Sequence, residues 1–288
     1  MDATYLSLAD HARRLRSHEQ TAVGLIDHCK RRFDRTEARL NAYKTWNGAG
    51  ARAVAQAVDD LFAAGVDAAP LMGLPVSVKD LYGVPGLPVF AGSDEALPAA
   101  WQAAGPVVGS VLRQLGVVIG KTHTVEFAFG GLGVNAHWGT PFNPWCANEH
   151  RTPGGSSSGA GVSLVQGSAL LALGTDTAGS VRVPASMTGQ VGLKTTYGRW
   201  SLEGIVPLSS SLDTPGLLTR TVEDLAFAFP AIDVPPGGDQ TPCRALPIDG
   251  LRVGIPENFF WEGVDASIRD VVEATVAGRD LAEKVRNW

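Results

Sequence analysis

Two short serine-containing segments carry the side chains best suited to covalent chemistry. The first, PGGSSSG, spans residues 153–159, and the second, GTDTAGS, spans residues 174–180 and places Ser180 24 positions after Ser156. Glycines let the main chain approach a ligand closely and turn several N–H groups toward one point. This composition is suited to a serine nucleophile with backbone donors for an oxyanion beside it.

The chain between the two segments predicts a rigid support for them. Residues 160–167 indicate a short helix, and the apolar run at residues 169–174 has the length of a buried strand. A single Gly/Ser-rich run is most often a flexible linker. A linker needs no helix and strand between two such runs, so the pair favours a functional site.

A serine hydroxyl is a poor nucleophile until a base takes its proton. Residues 155–159 match the G-x-S-x-G nucleophile elbow with Ser157 at the centre, a motif whose acid and histidine follow in the chain. All six histidines come earlier, which excludes that triad: His11, His18, His28, His123, His137 and His150. Zinc and cysteine motifs are also missing from the sequence, so a lysine base remains.

The candidate base is Lys79 in the segment GLPVSVKD, residues 73–80. Val76 and Val78 alternate with Ser77 and Lys79, which is the pattern of a strand. Lysine at a strand end is usually on the surface. If it pointed into a closed site instead, burial would lower its pKa toward neutrality and leave part of the amine free to accept a proton. Both interpretations are open at this stage.

Several further motifs, in order along the chain, resemble the amidase signature family, the serine amidohydrolases with a Ser-Ser-Lys triad. The resemblance runs from about residue 7 to about residue 280. Besides the segments above it includes residues 40–43 (LNAY), 120–122 (GKT), 126–128 (EFA), 143–145 (NPW), 191–199 (VGLKTTYGR) and 210–213 (SSLD).

The resemblance implies a role for each member of the triad. Ser180 would be the acyl-enzyme nucleophile, and Ser156, following a cis Gly155–Ser156 peptide bond, would relay a proton between Ser180 and Lys79. Ser157 would support this arrangement.

The same resemblance places the oxyanion donors on the backbone N–H groups of Thr177, Ala178, Gly179 and Ser180. Each such donor can contribute roughly 3–4 kcal/mol in a transition state. Ala178 departs from the family, which most often has glycine there, and its methyl group would narrow the site or restrict the backbone.

Other residues are predicted to support the site. Asp176 and Arg182 flank Ser180 and either form an ion pair behind the loop or are separately solvated. Pro184 predicts that regular structure ends soon after the nucleophile. The resemblance places Phe129, Gly130 and Gly131 near the substrate mouth.

Two glycine motifs do not support nucleotide binding. Residues 116–122 have one residue too few between glycines for a phosphate loop, and residues 131–136 lack the strand that precedes a dinucleotide fingerprint. No cofactor or metal is implied.

Composition indicates a globular enzyme of 288 residues, 44% of them hydrophobic. A net charge of −5 offers no basic footprint for nucleic acid, and no run of about 18 apolar residues is present for a membrane span. Three cysteines and the lack of a signal-peptide pattern favour a cytoplasmic location.

The element order predicts an α/β fold, a layered arrangement with a central mixed β-sheet flanked by helices on both faces. An N-terminal helical region would span residues 1–66, with helices at residues 6–16, 21–39 and 50–64, and the catalytic core would span residues 67–233. Residues 234–288 would begin a C-terminal portion, with a Pro/Gly-rich linker, a strand at residues 251–255 and a helix at residues 266–285. Since relatives continue further, the chain is either a fragment, a truncated product or a natural short form.

The predicted function is hydrolysis of a small carboxamide to the acid and ammonia through an acyl-enzyme. Two alternatives stay open: the amidase subunit of a tRNA-dependent amidotransferase, and an inactive scaffold or binding subunit. Each of these is compatible with a homodimer or with a partner subunit.

Overall fold

The computed structural model describes residues 6–233, 253–255, 259–277 and 282–284. The chain divides into two units, residues 1–243 and residues 244–288. The first carries every predicted site residue.

Three helices open the first unit, in the order the sequence predicts. Helix α1 (Leu8–Arg16) begins after Ser7, which forms a capping box with Asp10. Helix α2 (Ala22–Leu40) begins after Thr21, whose hydroxyl accepts a hydrogen bond from the Gly24 N–H. Helix α3 spans Gly48–Ala63.

Six strands form the mixed sheet of this unit. They are β1 (Tyr43–Trp46), β2 (Pro75–Lys79), β3 (Val117–Thr122), β4 (Leu171–Asp176), β5 (Val191–Lys194) and β6 (Thr214–Thr219), in the spatial order β1-β3-β2-β4-β6-β5. Strand β2 runs parallel to both β3 and β4, whereas the outer pairs are antiparallel. Because β2 and β4 are parallel neighbours, their carboxyl ends meet at one edge of the sheet.

Helices cover both faces of the sheet. The remaining ones in this unit are α4 (Pro106–Arg113), α5 (Ser158–Gln166), α6 (Arg182–Thr188) and α7 (Val222–Ile232), with short 3₁₀ turns at Ala99–Gln102 and Glu126–Ala128. Successive side chains of a strand point to opposite faces. In β4, Leu171 and Leu173 join the large core, whereas Ala172 packs in a second cluster with Ala160 of α5 and Ala185 of α6. The predicted layered α/β fold is confirmed.

The structure adds elements that the sequence pattern does not predict. Strands β1, β5 and β6 are new, and β6 contains Pro215 and Gly216, two residues that disfavour strands. Pairing with β4 and β5 and full burial outweigh that preference. The expectation for Pro184 is wrong: it lies in the first turn of α6, where a missing N–H leaves no hydrogen bond unmade.

The predicted N-terminal region, residues 1–66, is not purely helical. Its strand β1 pairs with β3 of the predicted core, so both regions share one sheet. Both belong to the unit of residues 1–243.

The second unit contains β7 (Val253–Ile255), α8 (Ala266–Ala277) and β8 (Ala282–Lys284), with β7 and β8 parallel. The predicted helix to residue 285 is wrong at its end, since residues 282–284 pair as a strand with β7. The predicted linker and residues 251–252 lie outside the described residues. No described helix has the length and apolarity to cross a membrane.

Candidate active site

Lys79 is the last residue of β2, and its side chain is fully buried. Its Nζ lies 2.7 Å from Ser156 Oγ and 2.8 Å from Thr175 Oγ1. The parallel register, Val78 opposite Leu173, brings the ends of β2 and β4 together and explains why Thr175 reaches the amine. Of the two interpretations of Lys79, the buried one is correct.

The environment of Lys79 favours the uncharged amine near neutral pH. Burial lowers the pKa of Lys79 from its ordinary value to about 7, against a smaller opposing effect of the carboxylates of Asp176 and Asp213. A substantial part of the amine is therefore neutral near pH 7 and able to accept a proton.

Ser156 lies in a closely packed turn before α5. The Gly155–Ser156 peptide bond is cis. The Gly155 N–H donates to the Gly131 carbonyl at 2.8 Å, and the Val125 N–H donates to the Ser156 carbonyl at 3.2 Å. A Cβ at Gly155 would come within 2.5 Å of the Gly133 nitrogen, so only glycine permits this approach.

These contacts place Gly131, one of the three predicted mouth residues, beside the serine turn. Gly131 touches Gly155 directly, and the ring of Phe129, 82% exposed, extends into solvent. Gly130 is exposed between them. Their role in binding substrate stays a prediction.

Ser157 connects the two serine segments. Its N–H donates to the Ser180 carbonyl at 3.2 Å, and its hydroxyl donates to the Thr175 carbonyl at 3.3 Å. Ser157 is completely buried, so it has the position of a structural residue and not of an exposed nucleophile elbow.

Ser180 lies in the turn between β4 and α6. Ser180 is 8% exposed, whereas Ser156 and Lys79 are completely buried. Of these three residues, only Ser180 is therefore accessible to solvent. The backbone contact with Ser157 brings its segment next to the turn of Ser156. Proton transfer between the Ser156 and Ser180 hydroxyls stays a prediction.

Asp176 holds the loop that follows it. Its carboxylate accepts hydrogen bonds from the N–H groups of Gly179 at 2.8 Å and Val181 at 3.1 Å. The Arg182 guanidinium binds both of its oxygens, with Nε at 3.0 Å and Nη2 at 2.9 Å. Burial raises the pKa of Asp176, but the hydrogen bonds from Arg182 and the backbone outweigh it and leave the pKa below its ordinary value. Asp176 and Arg182 thus form an ion pair.

The four residues 177–180, here called the Ser180 segment, differ as oxyanion donors. The Gly179 N–H, predicted as one of the oxyanion donors, donates to the Asp176 carboxylate in this structure. Within the described residues, no acceptor binds the N–H groups of Thr177, Ala178 and Ser180. Gly179 has φ +123, a glycine conformation, whereas Ala178 is not among the residues with positive φ. The Ala178 methyl group therefore fits the backbone and is exposed at the tip of the segment.

Two residues of the site carry no role in the sequence-based prediction. Thr175 contacts the Lys79 amine, and the register of β2 against β4 is the only signal that would have revealed it. Asp213 accepts a hydrogen bond from the Thr177 hydroxyl at 2.6 Å. It lies in a motif shared with the family, but its partner is 36 residues away in sequence. Among the described residues, no group of three His, Cys, Asp or Glu side chains is arranged to hold a metal ion.

The layered fold and the buried lysine between two serine segments define a protein of the amidase class. The chain belongs to the Amidase family, whose model matches residues 24–282.

Individual relatives agree with this assignment. The chain is 72% identical over 276 residues to 2-amino-5-chloromuconic acid deaminase of Comamonas testosteroni, covering 96% of this chain and 60% of that protein. It is 36% identical to a component of the glutamyl-tRNA(Gln) amidotransferase of Desulfotalea psychrophila, covering 96% of this chain and 59% of that protein. The chain thus spans about 60% of the length of these curated relatives.

Solved structures show the same fold. A crystal structure described as an amidase matches with a TM-score of 0.86 and 32% identity over 97% of this chain and 63% of that one. Native peptide amidase from Stenotrophomonas maltophilia matches with a TM-score of 0.83 and 29% identity over 98% of this chain and 62% of that one.

Proposed function

We propose that Lys79, Ser156 and Ser180 form a catalytic triad that hydrolyses the C–N bond of a small carboxamide and releases ammonia. The observation that supports this most directly is the 2.7 Å contact between Lys79 Nζ and Ser156 Oγ, made by a buried amine with a pKa of about 7. A base near neutrality is suited to general acid–base catalysis at neutral pH.

The neutral Lys79 amine takes a proton from the Ser156 hydroxyl as Ser156 takes one from Ser180. Ser180 Oγ then attacks the amide carbon, and the negative charge develops on the carbonyl oxygen near the free N–H groups of Thr177, Ala178 and Ser180. Collapse breaks the C–N bond, and the proton returns through Ser156 to the departing nitrogen, which leaves as ammonia. A water molecule, activated by Lys79 and Ser156, then hydrolyses the acyl ester on Ser180 and releases the carboxylic acid.

A second candidate function has support from the 72% identical relative, whose name describes deamination of 2-amino-5-chloromuconic acid. In that reaction type, water replaces an amino group on an unsaturated carboxylic acid and ammonia is released. Both candidates require a base, a nucleophile and a proton for departing nitrogen, so the same site can serve either one.

The amidotransferase alternative has support from relatives at 36% identity. Such a protein would cleave an amide but transfer the ammonia to a partner. Ammonia release by the chain alone separates an independent hydrolase from this alternative and from an inactive scaffold.

The test is an ammonia-release assay of the whole chain on aliphatic and aromatic carboxamides and on a 2-aminomuconic acid. We expect release from at least one class, abolished in Ser180→Ala and Lys79→Ala but retained in Ser158→Ala, a neighbouring serine whose hydroxyl donates to the His123 carbonyl. A fluorophosphonate should label Ser180, as read by peptide mass spectrometry. Ammonia release that persists in Ser180→Ala would exclude the proposed triad.

A further inference from the structure

We propose that Asp213 is a positioning residue of the candidate site, which fixes the Thr177 end of the Ser180 segment and supplies negative charge near Lys79. The expected effects on kcat rest on the proposed function, whereas the position of Asp213 rests on its hydrogen bonds.

Three donors fix the orientation of the Asp213 carboxylate. One oxygen accepts the Thr177 hydroxyl at 2.6 Å. The other accepts the backbone N–H groups of Leu208 at 2.8 Å and Ser209 at 2.9 Å. The Asp213 residue is 6% exposed, so its two oxygens are committed to these partners and not to solvent. Ionised oxygens that accept several N–H and O–H bonds form strong, well-oriented contacts.

The Ser180 segment is consequently held at two points by two carboxylates. Asp213 binds its first residue, Thr177, through the side chain, and Asp176 binds Gly179 through the backbone. The two anchors lie at adjacent strand ends, since Asp176 is the last residue of β4 and Asp213 directly precedes Thr214 of β6, the residue that pairs with Asp176. The N–H groups proposed to bind an oxyanion lie on the stretch that these anchors control. Small displacements of such donors cost activity, because the interaction depends on placement.

The contacts of β4 and the segment after it bring the Asp213 carboxylate to the neighbourhood of the amine, since Asp213 binds the hydroxyl of Thr177, and the hydroxyl of Thr175, two residues earlier, contacts Lys79 Nζ. Two carboxylates act on Lys79, those of Asp176 and Asp213, and both raise its pKa against the larger effect of burial. The amine otherwise faces the Ser156 and Thr175 hydroxyls.

The residue that directly follows β2, Asp80, does not change this balance. Asp80 forms its own ion pair with Lys121 at 2.8 Å. Removing the charge of Asp213 should therefore lower the pKa of Lys79 further.

Two variants separate the two effects. Thr177→Val removes the hydroxyl that Asp213 holds and keeps the carboxylate, so we expect kcat to fall roughly tenfold with no movement of the acid limb of the pH profile. Thr177→Ser keeps the hydroxyl and should retain most of the activity. Asp213→Asn should lower kcat and also move the acid limb to lower pH. A kcat of Thr177→Val equal to that of the wild type would overturn the positioning role.

A measurement independent of activity keeps the inference apart from the proposed function. The lysine ε-carbon of Lys79, assigned by its loss in Lys79→Met, can be titrated by NMR in the wild type, Thr177→Val and Asp213→Asn. The inference is supported if the titration midpoint of Lys79 is lower in Asp213→Asn than in the wild type and is not lowered in Thr177→Val. A midpoint that is unchanged in Asp213→Asn overturns it. If the wild type releases no ammonia, the proposed function fails, while this titration still decides the role of Asp213. Because Thr177 is only partly buried, its variants keep the kinetic test available even if Asp213→Asn does not fold.

Discussion

The hydroxyl of Thr175 lies 2.8 Å from Lys79 Nζ, so a second hydroxyl besides that of Ser156 contacts the buried amine. A buried amine with too few partners is costly, most of all when it is protonated. Thr175 therefore both orients Lys79 toward Ser156 and stabilises the protonated form that the proposed mechanism passes through.

Thr175→Val removes this hydroxyl and keeps the shape of the side chain. We expect kcat to fall about tenfold because the amine is less well placed, and the acid limb of kcat/KM to move to lower pH because the protonated amine loses an acceptor. Steady-state kinetics between pH 5 and 9 provide the measurement. Thr175→Ser is the matched control and should behave like the wild type; equal loss in both variants would contradict a role of the hydroxyl.

The pH dependence of the wild type should report the lysine base directly. Protonation of Lys79 removes the base, so kcat/KM should fall tenfold per pH unit below a midpoint near the pKa of about 7 and level off above it. The midpoint follows from the largest effect on this residue, burial, which disfavours the charged form. A profile that is flat from pH 5.5 to 8.5 would contradict a lysine base.

Arg182→Ala should destabilise the protein and disturb the site without removing a reacting group. Asp176 is fully buried, and the substitution leaves its carboxylate with backbone donors only. Since the Arg182 side chain is 54% exposed and water can partly replace it, we expect a loss of about 1–3 kcal/mol in the free energy of unfolding. Urea denaturation measures this loss, and Arg182→Lys should recover part of it.

Much of the fold and site follows from local sequence signals. Ser7 and Thr21 cap α1 and α2 within two residues of the predicted starts at residues 6 and 21, because a hydroxyl before an amphipathic run satisfies free N–H groups. The strand around Lys79 is visible from the alternation of valines with polar residues.

The remaining features depend on contacts that are distant in sequence. The contacts of Thr175 with Lys79 and of Asp213 with Thr177 depend on strand register, which local patterns do not determine. Local patterns do not predict strand β6, because Pro215 and Gly216 disfavour strands. Pairing with β4 on one side and β5 on the other outweighs that preference. The burial of Lys79 depends on tertiary packing, and the sequence of residues 73–80 is compatible with either a surface lysine or a buried one.

A second buried lysine provides a test of charge pairing outside the proposed triad. Lys121 Nζ lies 2.8 Å from Asp80 Oδ1, with both side chains at 1% exposure or less, and burial raises the pKa of Asp80 and lowers that of Lys121. Lys121→Met leaves the Asp80 carboxylate unpaired in the interior, so we expect a loss of about 3–5 kcal/mol in the free energy of unfolding.

The double variant Lys121→Met/Asp80→Asn removes both charges and should be clearly more stable than Lys121→Met alone. In this variant the amide oxygen of the asparagine introduced at position 80 can still accept the hydrogen bond from the Phe90 N–H, which Asp80 Oδ2 accepts at 3.0 Å in the wild type. Urea unfolding of the wild type, both single variants and the double variant gives the coupling energy of the pair. Strictly additive losses would show that the two charges do not stabilise each other, and would leave packing of their side chains as the reason for their burial.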